Sequence, residues 1–103
     1  MTMTGKERGE LRSECNRLKP TVHIGQEGIS GTLLTALDDA LRTRELVKIA
    51  MNQNAEVKPK AAANDLAKRV KAEVIQVIGR TATLYRLNPA LKRKKGDAPP
   101  WRV

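Results

Sequence analysis

The chain has 103 residues, 40% of them apolar, with no Phe, one Tyr and one Trp, so it can enclose one modest aliphatic core and offers almost no aromatic platform for base stacking. Twenty Lys and Arg against eleven Asp and Glu give a net charge of +9, which favours a polyanionic partner, nucleic acid ahead of an anionic membrane, over a neutral small-molecule carrier. One cysteine and one histidine exclude an internal disulfide and a structural zinc site, and a charged N-terminus with no long apolar run is expected of a soluble cytoplasmic protein.

Residues 6–17 read as a helix with a narrow apolar stripe at Leu11, Cys15 and Leu18 and with Lys6, Arg8, Glu10, Arg12 and Glu14 facing water; such a helix needs a surface to dock on. Pro20 interrupts it, and Thr21 to Ile24 is a short β-branched strand that runs into Gly25-Gln-Glu-Gly28. Two glycines three apart let the main chain approach a ligand, and the first amides of the helix that follows lack intrahelical partners. The same turn could serve only to join strand to helix. Ser30 is the expected N-cap, and Leu33, Leu34, Leu37 and Leu41 recur on one face through about Arg42.

Glu45 to Met51 is rich in apolar and β-branched residues around a single Lys48 and reads as a mostly buried strand, with Asn52 to Ala55 closing it. Lys58-Pro59 suits a helix start, and Ala62, Leu66 and Val70 mark its inward face while Lys60, Asn64, Lys68 and Lys71 mark the outward one. Val74 to Ile78, a Gly79-Arg80 turn and Thr81 to Arg86 form a hairpin. The order is an N-terminal helix followed by β-α-β-α-β-β, an α/β fold in which two crossovers imply parallel pairing and the hairpin adds an antiparallel strand to a mixed four-stranded sheet. The domain is expected to span 6–88, and the aperiodic run 89–103 to be a mobile basic tail ending near Trp101.

Charge is unevenly distributed. Residues 46–71 carry six basic and two acidic groups and 89–103 five and one, a net +4 each, whereas 20–45 is net negative. Lys58, Lys60, Lys68, Arg69 and Lys71 are candidates for phosphate contact, weighed against an ordinary solvated helix face. Arg80 at the hairpin tip is placed to reach outward as a fork for phosphate or exposed bases. Lys92 to Lys95 reads as a sequence-independent electrostatic tether. His23 reads as a packed or edge residue and Cys15 as a small core hydrophobe. No nucleophile–base pair, metal cluster or phosphate-binding Walker loop is present in the sequence, so neither catalysis nor a cofactor is expected.

Leu18-Lys19-Pro20, the Gly25–Gly28 turn, Glu45-Leu-Val-Lys-Ile49 and Gln76-Val-Ile-Gly-Arg-Thr-Ala-Thr-Leu-Tyr-Arg86 together resemble, in order and spacing, the CRM domain, the RNA-binding module of chloroplast splicing and ribosome maturation proteins. The likeness covers roughly residues 8–88, and the single-domain length is similar to that of stand-alone bacterial members associated with precursors of the large ribosomal subunit. The resemblance implies a fold similar to the C-terminal domain of a bacterial translation initiation factor, a glycine loop comparable to that of KH domains at Gly25, Gln26, Glu27 and Gly28, and precursor rRNA as the partner; the protein is expected to be a monomer. Lys19, Lys48 and Arg86 lie in family-like motifs and join the candidate contacts. Glu27 departs from the basic or neutral residue usual between such glycines, so the glycines are expected to admit the RNA backbone while the lysines of the second crossover and Arg80 supply charge. Two other readings stay open: a general nucleic-acid-coating or ribosomal structural protein whose tail carries the affinity, and an adaptor that recruits a protein through the Leu11 stripe and Trp101.

Overall fold

The computed structural model describes residues 5–88; the expected tail and its Lys92–Lys95 run lie outside them. Three helices, α1 (Gly5–Cys15), α2 (Gly31–Arg44) and α3 (Pro59–Val70), alternate with strands β1 (Val22–Ile24), β2 (Leu46–Met51), β3 (Glu73–Ile78) and β4 (Thr81–Tyr85). The sheet is mixed, with strand order β1-β2-β4-β3. β1 pairs parallel to β2, and β4 lies between β2 and β3, antiparallel to both. Only the first crossover therefore joins neighbouring strands. The second skips one position, which the hairpin return fills.

The helices form where side chains and caps favour them. α2 begins at Ser30, whose extended backbone and Oγ, accepting from the Leu33 amide at 3.1 Å, satisfy an N-terminal donor. It buries Leu33, Leu37 and Leu41 on one stripe and ends on Arg42 and Arg44, favourable charges for a helix C-terminus. α3 starts with Pro59 in its first turn, where the missing amide costs nothing, and buries Ala62, Ala63, Leu66, Ala67 and Val70. Alanine at three of those positions lets the helix lie close to the sheet.

Both helices cover one sheet face, where Val22, Ile24, Val47, Ile49, Met51, Ala82 and Leu84 complete the main core. α1 docks on the opposite face, with Leu11 and Cys15 against Leu46 and Ile75, flanked by Leu18 and Tyr85. Arg8 fixes its start by donating to Glu73 Oε2 at 2.7 Å and to the Val74 carbonyl at 3.3 Å. The Leu11–Cys15–Leu18 stripe has its docking surface.

Glu45 departs from the expected strand. It is the C-cap of α2, at φ 65°, fully buried, and its Oε2 accepts from the Asn88 amide at 2.8 Å. The helix runs two residues past Arg42 before this cap ends it, so β2 starts one residue later than its apolar pattern suggests. In β3 the register shifts between Val74 and Gln76, a bulge that leaves Ile75 in the α1-side cluster and Gln76 opposite Thr83.

Candidate nucleic-acid interface

β1 and β2 run parallel and end in register, Ile24 opposite Met51, so the segments that follow them, Gly25–Gly28 and Asn52–Lys58, emerge side by side. The Asn52 amide donates to the Ile24 carbonyl at 2.9 Å and ties the two exits together. The β3–β4 hairpin tip arrives at the same end. Arg80 donates from Nε to the Met51 carbonyl (3.1 Å) and from Nη2 to the carbonyls of Asn52 (2.7 Å) and Ala55 (3.0 Å). Its own carbonyl accepts from the Met51 amide at 2.8 Å. The N-termini of α2 and α3 thus open at one end of the sheet, where loops following parallel strands commonly receive ligands.

The glycine loop is a tight turn closed by the Gly28 amide donating to the Gly25 carbonyl at 3.0 Å. Gln26 and Glu27 form its exposed tip. The two glycines differ in what the fold asks of them. Gly28 has φ +71°, a left-handed conformation costly to other residues. Gly25 has no such φ, and a Cβ placed there would meet only Asn52 Nδ2, at 3.9 Å, an ordinary contact. The absence of a side chain at Gly25 is not required by the folded chain.

The expected basic residues fall into separate groups. Lys58, the extended N-cap of α3, and Lys60 in its first turn are exposed at the glycine-loop end. Lys68, Arg69 and Lys71 lie at the far end of α3; eight residues from Lys60 to Lys68 carry the charge about 12 Å along the axis. Lys60, Asn64, Lys68 and Lys71 nonetheless form one exposed stripe, and Lys60 and Asn64 border a groove beside the edge strand β3. Arg69 Nε pairs with Asp65 at 3.2 Å on an exposed helix surface, where such pairs hold little energy. Lys19 is exposed before β1, at the end of the sheet away from the glycine loop.

Three candidates are committed to internal bonds. Arg80 does not reach outward; its three carbonyl bonds make it a latch between hairpin tip and β2–α3 loop, because a planar fork with fixed donors fits the carbonyls that the loop turns toward it. Arg86 ties the end of β4 to both helices, with Nη1 donating to Asp38 Oδ1 (2.7 Å) and the Val70 carbonyl (2.8 Å) and Nη2 to the Asp38 carbonyl (3.1 Å). Lys48 is half-buried and donates to the Cys15 carbonyl at 3.2 Å, a cation at the C-terminus of α1. Asn52, read from the sequence only as a turn former, is the exposed amide beside Gly25; only the parallel register brings it there.

Among the described residues no group of three or more His, Cys, Asp or Glu side chains could hold a metal, and no helix is long and apolar enough to cross a membrane. A mixed sheet with helices on both faces, and with a glycine turn and two helix N-termini gathered at one end beside the exposed Lys58 and Lys60, defines an α/β domain. The chain belongs to the CRS1/YhbY (CRM) domain family, whose model matches residues 3–86. It is 33% identical over 84 residues to the "Probable RNA-binding protein YqeI" of Bacillus subtilis, covering 82% of this chain and 88% of the relative. It is 34% identical over 104 residues to the "Probable RNA-binding protein MJ0652" of Methanocaldococcus jannaschii, covering 98% and 76% respectively. The solution structure of SAV1595 from Staphylococcus aureus superposes with a TM-score of 0.73 at 33% identity, covering 96% of this chain and all of the other.

Proposed function

We propose that this protein binds RNA and acts, without catalysing a reaction, in assembly of the large ribosomal subunit, holding precursor rRNA at the glycine loop and along the lysine stripe of α3. RNA binding is the property for which its relatives are named, and the net charge of +9 fits a polyanionic partner. The observation that carries the loop assignment is Gly25: the fold leaves room for a side chain there, so its omission fits the close passage of a ligand backbone. Glu27 keeps the tip from being the main electrostatic anchor, and Lys58 and Lys60 beside it, with Lys68 and Lys71 further along, supply charge. The protein would do this as a cytoplasmic monomer.

Crosslinking in cells followed by sequencing of the recovered RNA tests the assignment directly; precursor large-subunit rRNA is the expected product, and recovery of unrelated RNAs alone would refute it. In binding assays with a transcript of that region, Gly25→Leu should leave the melting temperature near its original value and weaken binding about tenfold, whereas unchanged affinity removes the loop from the interface. Neutralising roughly four phosphates of single-stranded character gives a slope near −3 for log affinity against log salt. Charge reversal at Lys60 and Lys68 should flatten that slope without unfolding the domain. Truncation after Asn88 should reduce affinity only in part; near-complete loss would favour a coating protein anchored by its tail.

A further inference from the structure

The α1-side face of the sheet is only half covered. α1 occupies the part around Leu46 and Ile75, and the strand ends nearest the glycine loop extend beyond it. Cross-strand register places Lys48, Thr83 and Gln76 side by side on β2, β4 and β3, with Ala50, Thr81 and Ile78 in the next row and His23 opposite Ala50 on β1. Lys48, Gln76, Thr83, Thr81 and Ile78, together with Asn16 and Cys15 at the end of α1, line a pocket of about 180 Å³ in which no carboxylate takes part. That is below the roughly 300 Å³ at which cofactor and small-molecule sites usually begin; it suits one planar group resting on an open sheet.

Two observations distinguish this surface from an ordinary solvated face. Gln76 Oε1 is shielded from water and has no hydrogen-bond partner among the described residues, an expense that folded proteins rarely sustain without a use. Ile78, at the rim, is 57% exposed, one of two large apolar side chains left so open among the described residues. An isolated exposed isoleucine means little. Beside the orphaned Gln76 oxygen and the Thr81 hydroxyl it adds an apolar surface for the flat side of a ring to groups that read the ring's edge.

We propose that this half-face is a nucleobase site, taking an unstacked base of a single-stranded RNA whose backbone is held at the glycine loop. The inference rests on the RNA-binding reading above. The site lies at the loop's end of the sheet, because the row that holds Ile78 and Thr81 continues across Ala50 to His23, two residues before Gly25. The Gln76 amide can donate and accept as the edge of a base requires, the Thr81 hydroxyl, whose proton goes to the Ile78 carbonyl at 2.8 Å, can accept, and Lys48, held at the α1 C-terminus, gives the rim a positive charge. Ile78 takes the place that an aromatic ring occupies in other single-strand binders, as a chain without Phe demands.

Amide NMR of the full chain, titrated with a twelve-nucleotide single-stranded RNA and with an abasic ribose-phosphate strand of equal length, tests this. The RNA should shift Gln76, Ile78, Thr81 and Thr83 as well as the glycine loop; the abasic strand should shift the loop and α3 alone. Shifts confined to the loop and α3 with both probes would overturn the base site and leave the RNA-binding reading intact. Sheet shifts produced equally by the abasic strand would overturn base recognition, and shifts with neither probe would overturn both readings. Gln76→Met should raise the melting temperature, since it removes a buried unpaired carbonyl oxygen, while weakening RNA about fivefold and the abasic strand not at all. A lowered melting temperature would show that the amide serves the fold and would overturn the proposal. Ile78→Ser, too exposed to affect folding much, should reproduce the fivefold loss, and unchanged RNA affinity would count against the site.

Discussion

The two faces of the sheet are built to different specifications. Beneath α2 and α3 the surface is aliphatic across all four strands, and Ile24, Leu37, Leu41, Ile49, Leu66 and Leu84 are completely or almost completely removed from water. Beneath α1 four buried residues form a small cluster, and the rest of that face carries Lys48, Thr83, Gln76 and Thr81. Because burial of apolar area supplies most of the driving force for folding, one face can hold the domain together. The other is then free to carry polar side chains, some of them, Thr83 and the Gln76 Oε1, closed off from water.

Truncation on each face tests that division most severely. Leu37→Ala, at a fully buried position of the main core, should cost about 3–4 kcal/mol in urea denaturation. Leu11→Ala, at the rim of the smaller cluster with 8% of its surface exposed, should cost about 2 kcal/mol, because water and a shifting α1 can fill the gap. Equal losses would mean that the α1 face carries as much of the core as the other, and the distinction would fail.

The next effect concerns how the glycine-loop end is held. Arg80→Ala removes three hydrogen bonds from a charged donor to loop carbonyls. Since part of the guanidinium is open to solvent, a loss of about 1–2 kcal/mol is expected rather than the full sum. Hydrogen exchange should rise in residues 52–58 and not in α1. Arg80→Lys should recover only a fraction, as one ammonium cannot span three carbonyls in a fork. A uniform rise in exchange across both faces would show that Arg80 supports global stability and not this loop.

These contrasts mark where the sequence was legible and where it was not. Leucines spaced by three and four placed α2, and Pro59 with the alanine-rich stripe placed α3, because local periodicity and caps carry that information. The strand order was less accessible: alternation shows which residues of a strand share a face, yet nothing local states that β4 enters between β2 and β3. Glu45 reads as the first residue of a strand since Leu46 and Val47 after it are apolar, and a non-glycine residue at φ 65° leaves no sequence mark. The bulge in β3 breaks strict alternation and hid Gln76 beside Thr83. Arg80 and Arg86 looked free because their partners are mostly backbone carbonyls, and every residue has one of those. The lysines, which make no such forks, could be placed on the α3 surface from helical spacing alone.

The smallest effect separates charge from stability within α3. Lys71 caps the helix in the left-handed region, at φ 55° and ψ 46°, with its amide donating to the Ala67 carbonyl, and a residue with a Cβ is disfavoured there. Lys71→Gly relieves that cost and should stabilise the domain by about 0.5–1 kcal/mol in thermal denaturation, even though the glycine raises the entropy of the unfolded chain. The same change removes a cation from the proposed RNA stripe. Stability and RNA affinity should therefore move in opposite directions, with the salt slope falling by less than one. A neutral or lower stability would show that the lysine stem packs usefully over the end of α3, and affinity that rose with stability would remove Lys71 from the interface.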